Sequence, residues 1–221
     1  MVLRLMEENM PLTKCVFFDT GMEYAAIYRN LEKVQPMLED YGCELVVLKP
    51  DVPFLLSMLA RPVCKGKKNE HYGYDWCGGS TRWGTRMKVE KIDAWLKGLG
   101  ECVQYVGIAF DEDHRAKGKT YPLIDWRMTE RDCLDYCRSR GFDWLEGDVD
   151  LYDILDRVSC WCCANKNLKE LRNMRRFLPD YWDMLMGLQS RIDRPFRKDG
   201  SLFDLEARFA AEDKQMAFDF E

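Results

Sequence analysis

Cys160-Trp-Cys-Cys163 places three thiols within four residues. Thiolates are natural ligands for zinc and for iron–sulfur centres. The C-x-x-C spacing of Cys160 and Cys163 lets two sulfurs converge on one ion, and Cys162 can face elsewhere. Cys77, in Asp75-Trp-Cys-Gly-Gly-Ser80, is the candidate for a further ligand, and His71 is a candidate nitrogen donor. The metal set is therefore Cys77, Cys160, Cys162 and Cys163. The pattern also suits three packed cysteines on a turn, or a redox C-x-x-C pair. Cys15, Cys43, Cys64, Cys102, Cys133 and Cys137 read as packing thiols.

Three other segments carry groups suited to binding. Asp19-Thr-Gly-Met-Glu23 lies where a strand gives way to a helix. Gly21 allows a tight turn and a close ligand approach, and amides at a helix start favour an anion. The same residues also fit an ordinary turn in which Asp19 or Thr20 caps the helix. Thr81-Arg-Trp-Gly-Thr-Arg-Met-Lys88 offers Arg82, Arg86 and Lys88 at a helix start, an anion pocket or a basic surface turn. Gly107-Ile-Ala-Phe-Asp-Glu-Asp-His-Arg115 brings Asp111, Glu112, His114 and Arg115 to the end of a third strand. That mix suits a phosphorylated nucleotide, acid–base work or a solvated loop. Cys77-Gly-Gly-Ser80 lacks the strand before and the helix after that a phosphate loop needs.

The elements that would position these groups follow from periodicity. Residues 2–9 read as an amphipathic helix, and Cys15-Val-Phe-Phe18 as a short buried strand. A helix over 23–40 stops at Gly42, and Glu44–Leu48 is a second buried strand. A short helix over 53–59 precedes an irregular stretch, 62–86, and a helix over 87–98. Residues 103–108 form the predicted third strand, and 111–120 a charged surface loop. Thr129 is the predicted N-cap of a helix to 140, with Gly141 behind it. Helices over 167–176, 180–190 and 201–213 follow the cysteines, and the tail from 215 is expected to be loose. Strands alternating with helices predict an α/β fold with a doubly wound, mainly parallel sheet and a helical C-terminal part. The expected division is 1–158, a nucleotide-binding α/β domain, and 159–221, the cysteine cluster with its helices. In such sheets ligands bind beyond the carboxyl ends of the strands, which selects the loops after Phe18 and Ile108.

Composition narrows the classes further. The chain has 221 residues, 47% hydrophobic and 32% charged, which excludes a disordered chain. No apolar run could span a bilayer, and the acidic start is no secretory signal, so a cytoplasmic protein without membrane attachment is expected. Ten cysteines without an export signal are core thiols, ligands or redox groups rather than a disulfide framework. A net charge of −5 argues against a dedicated nucleic-acid binder.

Taken in order, Asp19-Thr-Gly-x-Glu23, Arg82-Trp-x-Thr-x-x-Lys88, Gly107-Ile-x-x-Asp-Glu-x-x-Arg115, Tyr121-Pro-Leu-Ile-Asp-Trp126 and Arg157-Val-Ser-Cys-Trp-Cys-Cys163 resemble the phosphoadenosine phosphosulfate (PAPS) reductase family. The likeness covers most of residues 1–190. The family has the adenine-nucleotide alpha-hydrolase-like fold. The resemblance implies a nucleotide (PAPS, adenylyl sulfate or ATP) near Asp19, Thr20, Gly21, Glu23, Arg82, Thr85, Lys88, Gly107, Asp111, Glu112 and Arg115. It implies an iron–sulfur or zinc centre at the cysteines, a redox partner, and sulfur-related redox or adenylyl or sulfur transfer. Some relatives carry a cysteine where this chain has Gly84. The family's Ser-Gly-Gly-x-Asp-Ser phosphate loop does not occur here, and the expectation is a start truncated just past it. The assimilatory enzymes' C-terminal nucleophilic cysteine has no counterpart, since no cysteine follows Cys163.

The alternative is a non-catalytic nucleic-acid-associated or assembly module. Residues 166–198 hold nine Lys/Arg against four Asp/Glu and would be its contact surface, with Arg172, Arg175 and Arg176 at its centre. The same residues also fit a solvated helix face.

Overall fold

The structure is a computed structural model that describes residues 1–64, 70–79 and 81–218. Ser80, residues 65–69 of the irregular stretch and the last three residues of the tail lie outside the described residues. In chain order the elements are α1 (Val2–Glu7), β1 (Lys14–Phe18), α2 (Ala25–Asp40), β2 (Glu44–Leu48), α3 (Phe54–Leu59), β3 (Pro62–Cys64), β4 (Glu70–Tyr72) and α4 (Trp83–Leu99). They continue with α5 (Pro122–Asp125), α6 (Glu130–Arg138), β5 (Leu145–Glu146), β6 (Val149–Asp150), α7 (Leu151–Ile154), α8 (Leu168–Phe177), α9 (Pro179–Gln189) and α10 (Leu202–Phe218). The fold is mixed α/β, about half helical, with small sheets only.

The chain divides into two compact units that interleave along the sequence. The first comprises Met1–Phe18, Ala25–Leu48 and Val89–Trp144; the second comprises Asp19–Tyr24, Lys49–Lys88 and Leu145–Glu221. The sequence boundary at 158/159 falls inside the second unit.

In the first unit β1 and β2 pair in parallel, in register from Lys14 opposite Glu44 to Phe18 opposite Leu48. Parallel neighbours need a crossover, and α2 supplies it. Leu5, Leu38, Cys43 and Phe18 are buried there. The Thr129 cap forms as predicted: its hydroxyl accepts from the Asp132 amide while Asp132 accepts from the Thr129 amide. Gly141 follows with a φ of 76°, a left-handed value that favours glycine.

Residues 103–108 do not form the predicted strand. Tyr105 makes a single parallel bridge to Thr120, supported by Val106 N–H donating to the Thr120 carbonyl at 2.9 Å. A strand exists only through its ladder, and among the described residues this segment meets no second partner there. Val103 is accordingly 71% exposed despite its β-branched side chain.

In the second unit, α8, α9 and α10 pack around Leu171, Met174, Leu185, Leu202 and Phe209, all nearly inaccessible. The hairpins β3–β4 and β5–β6 are too short to show a period, and sequence reading misses them. Helix α4 starts at Trp83, four residues before the predicted start, because Gly84 and Thr85 disguise its first turn. At the other end α10 runs to Phe218, so the tail expected to be loose is helical as far as it is described.

Candidate functional site

The loop after β1 is built by its own side chains. Asp19 Oδ1 accepts from the Gly21 amide at 2.8 Å, and Thr20 Oγ1 accepts from the Met22 amide at 3.1 Å. These short side-chain turns hold Gly21 at a φ of 74°. They also consume two of the amides that an anion would use. Gly21 itself is exposed, and a Cβ placed on it would meet no atom within 4 Å. Space above its backbone is therefore open.

The same loop reaches the cysteines. The Thr20 hydroxyl donates to Glu23 Oε1 at 2.9 Å, and the Cys160 thiol donates to that oxygen at 3.5 Å. Thr20 Oγ1 and Cys160 Sγ stand 3.8 Å apart. The Trp161 amide donates to the Met22 carbonyl at 3.0 Å. Two segments about 140 residues apart in sequence thus meet within the second unit. Burial, followed by the Glu23 carboxylate, pushes the Cys160 thiol up to about 12. It is protonated at neutral pH, not poised as a nucleophile.

Cys77 comes to the same corner. The Ala164 amide donates to the Cys77 carbonyl at 3.1 Å, and Asn165 Oδ1 accepts from the Gly79 amide at 2.6 Å. The amides of Gly84 and Thr85, in the first turn of α4, donate to the Cys77 sulfur. Burial still raises its pKa, and those amides oppose the rise. Gly84 is required by this packing: a Cβ there would lie 2.7 Å from Phe54 Cε2 and 2.9 Å from Cys77 Sγ. A cysteine at this position would have no room here. Cys162 is buried, and burial followed by Cys160 and Cys163 raises its pKa well above the usual thiol value.

Arg194 braces the loop from the other side. It donates to Thr81 Oγ1 at 3.0 Å and to the Trp76 carbonyl, while the Trp76 indole donates to the Arg194 carbonyl at 3.0 Å.

Lys166 is the unexpected member. It is 2% exposed, and its Nζ has no hydrogen-bond partner. Its Nζ lies 5.5 Å from the centre of the Tyr24 ring. Glu170 is also buried, but the amides of Asp156 and Asn167 occupy its two oxygens. Burial lowers the Lys166 pKa, while Cys163, Glu170, Cys162 and Cys160 oppose the fall. Sequence reading missed this residue because it counts as the first charge of a basic stretch. Its one signal was its place three residues beyond Cys163.

The remaining candidates divide between the units. Arg82, Thr85 and Lys88 are exposed at the start of α4, in the second unit with Asp19, Thr20, Gly21 and Glu23. Gly107, Asp111, Glu112 and Arg115 belong to the first. There Arg115 pairs with Glu112, and Asp111 Oδ1 accepts from the Glu130 amide at 3.1 Å. His71 and His114 are both exposed. Among the described residues no three His, Cys, Asp or Glu side chains are arranged to hold a metal ion, and Cys160 is turned toward Glu23.

The basic stretch does not present a bare positive face. Arg172 pairs with Glu212 at 2.6 Å, and Arg175 with Glu206 at 2.8 Å and with Asp213. Two of the three arginines at the centre of the alternative reading are thereby neutralised by α10. Among the described residues no helix is long and apolar enough to cross a membrane.

No protein-family model, no curated protein and no solved structure matches the chain.

Proposed function

We propose that the chain binds an adenine nucleotide (ATP, PAPS or adenylyl sulfate) at the loop Asp19–Glu23 and carries a cysteine-ligated zinc or iron–sulfur centre beside it. The observation that supports this reading is the Thr20–Glu23–Cys160 contact, which brings the loop against the first cysteine of the cluster. In the reading, Thr20 and Glu23 supply a donor and acceptors to the nucleoside, and open Gly21 lets it approach the backbone. Arg82, Thr85 and Lys88, at the N-terminus of α4, face phosphate or sulfate charge. The half-buried β1 and β2, joined by a helical crossover, suit a wider, doubly wound parallel sheet.

The chemistry of the donors, four thiols from two segments joined by the bond from the Ala164 amide to the Cys77 carbonyl, suits a soft metal, and binding one would require the side chains to rearrange. Cys160 would leave Glu23 to take part, with Cys77, Cys162 and Cys163 as the other sulfurs. A bound centre would supply electron transfer if iron–sulfur, or rigidity if zinc. The reaction class that suits such a site is sulfur-related redox, or adenylyl or sulfur transfer.

Titration calorimetry of the full chain with ATP, adenylyl sulfate and PAPS tests the nucleotide. Thr20→Val is expected to weaken binding by at least about tenfold, the value of one hydrogen bond to a charged or strongly polar group. Absence of binding to all three, or equal affinity in the variant, overturns the assignment.

A further inference from the structure

The arginines of α8 are covered by acids of α10, but those of residues 61–88 are not. That stretch holds seven Lys/Arg against two Asp/Glu in a chain of net charge −5. Arg61, Arg82, Arg86 and Lys88 are exposed, and among the described residues none of them pairs with a carboxylate. Arg61 instead lies over the Tyr74 ring at 5.5 Å, and Arg82 Nε donates to the Gly79 carbonyl at 3.2 Å. Flat groups continue from there: Tyr74 to Trp83 at 5.5 Å between ring centres with the planes 31° apart, and Trp83 to Phe54 at 4.4 Å. Tyr72 sits on β4 opposite Pro62, the neighbour of Arg61, and at 73% exposed it is the most open large hydrophobic side chain among the described residues. The backbone that carries both tyrosines is held firmly. The Gly73 amide donates to the Arg61 carbonyl at 2.8 Å and the Tyr74 amide to the Ser57 carbonyl at 2.9 Å, and a Cβ on Gly73 would collide with the Met58 carbonyl. All these residues belong to the second unit.

We infer that this surface, formed by Arg61, Tyr72, Tyr74, Trp83 and Arg86, binds single-stranded nucleic acid. Such strands are held by cations that track the phosphates and by aromatic rings on which unpaired bases stack. Tyr72 offers an open ring on a fixed backbone, so a base can stack on it at little cost in entropy. Arg61, beside the tyrosines, and Arg86, one turn beyond Trp83 on α4, supply charge for the phosphates on either side. In a duplex the bases already stack on one another, and an exposed ring gains nothing from them. A protein partner would call for apolar area, whereas uncompensated cations beside stacked rings call for a polyanion with flat groups. The surface is separate from the nucleotide reading above: Arg61, Tyr72 and Arg86 take no part in that reading, so either can fail without the other.

The test titrates the full chain into fluorescent oligothymidylate and oligouridylate of about 12 nucleotides, and into a duplex of the same length, followed by anisotropy over a range of salt. The expected result is tighter binding to single strands than to duplex, weakening as salt rises. The better of the two single strands identifies the preferred sugar. Tyr72→Ala is expected to weaken single-strand binding at least about fivefold, the value of one stacked base, and Tyr72→Phe to retain it. Arg61→Gln with Arg86→Gln is expected to weaken it about tenfold and to make the salt dependence shallower by about 0.7 per cation removed. Tyr72, Arg61 and Arg86 are exposed, and thermal melts of the variants are expected to match wild type. Arg176→Gln, on exposed α8, is expected to leave binding as it is. Failure to bind either single strand overturns the inference. So does tighter binding to duplex, equal affinity in wild type and Tyr72→Ala, or a loss in Arg176→Gln as large as in the Arg61 and Arg86 variant, which would move the contact to α8.

Discussion

Two charged groups show how differently the two units treat charge. In the first unit Glu7 of α1 is clamped by Arg140, whose Nη2 donates to it at 2.7 Å and whose Nε makes a second bond, while the Tyr136 hydroxyl donates a third. Three hydrogen bonds meet on that carboxylate, near the surface, where water would have served almost as well. In the second unit Lys166 is deep and has none of its donors used. One arrangement fastens a helix; the other leaves a buried amine without a hydrogen-bond partner.

The largest effect that should sharpen this contrast comes from Gly84. Gly84→Ala forces Phe54 or Cys77 to move and is expected to destabilise the protein by about 1–3 kcal/mol, measured by urea unfolding. It should also change the alkylation rate of Cys77. An unaltered midpoint and unaltered alkylation would mean that the corner is loosely packed. Next is Thr129→Ala in the first unit, which removes the α6 capping box at a cost of about 1 kcal/mol. Cysteine alkylation in the second unit should not respond; a response would remove the distinction between the two regions. The smallest is Glu7→Gln. The clamp, led by Arg140, holds the folded carboxyl at about 2 against 4.5 ordinarily, so its contribution is complete above about pH 4.5 and fades as pH falls toward 2. The carboxylate is about half exposed, so the cost near neutral pH stays under about 1 kcal/mol, and the difference between variant and wild type should vanish in urea melts at the acid end.

Much of the local structure was legible in the residues. The apolar runs Cys15–Phe18 and Glu44–Leu48, the Thr129 cap and the Gly141 stop all appear where their chemistry requires them. Those are local signals, carried by neighbours in sequence. The strand over 103–108 failed because β-branched composition states a preference, whereas a ladder requires a partner. The two-residue strands β5 and β6 were too short to carry any period. The basic stretch from 166 was read as one surface, yet its charges have separate fates. Arg172 and Arg175 pair with acids of α10, and Lys166 turns inward.

For the candidate site, residue types and spacing alone were enough to select Asp19–Glu23 and the Cys160–Cys163 cluster, because Gly-containing turns and crowded thiols are chemically distinctive wherever they sit. Their meeting was decided by tertiary structure: no periodicity relates Thr20 to Cys160, and only the packed second unit brings them within 3.8 Å. The same holds for Lys166. A lysine in sequence reads as a solvated charge, and only burial among groups that are already paired turns it into an unanswered one.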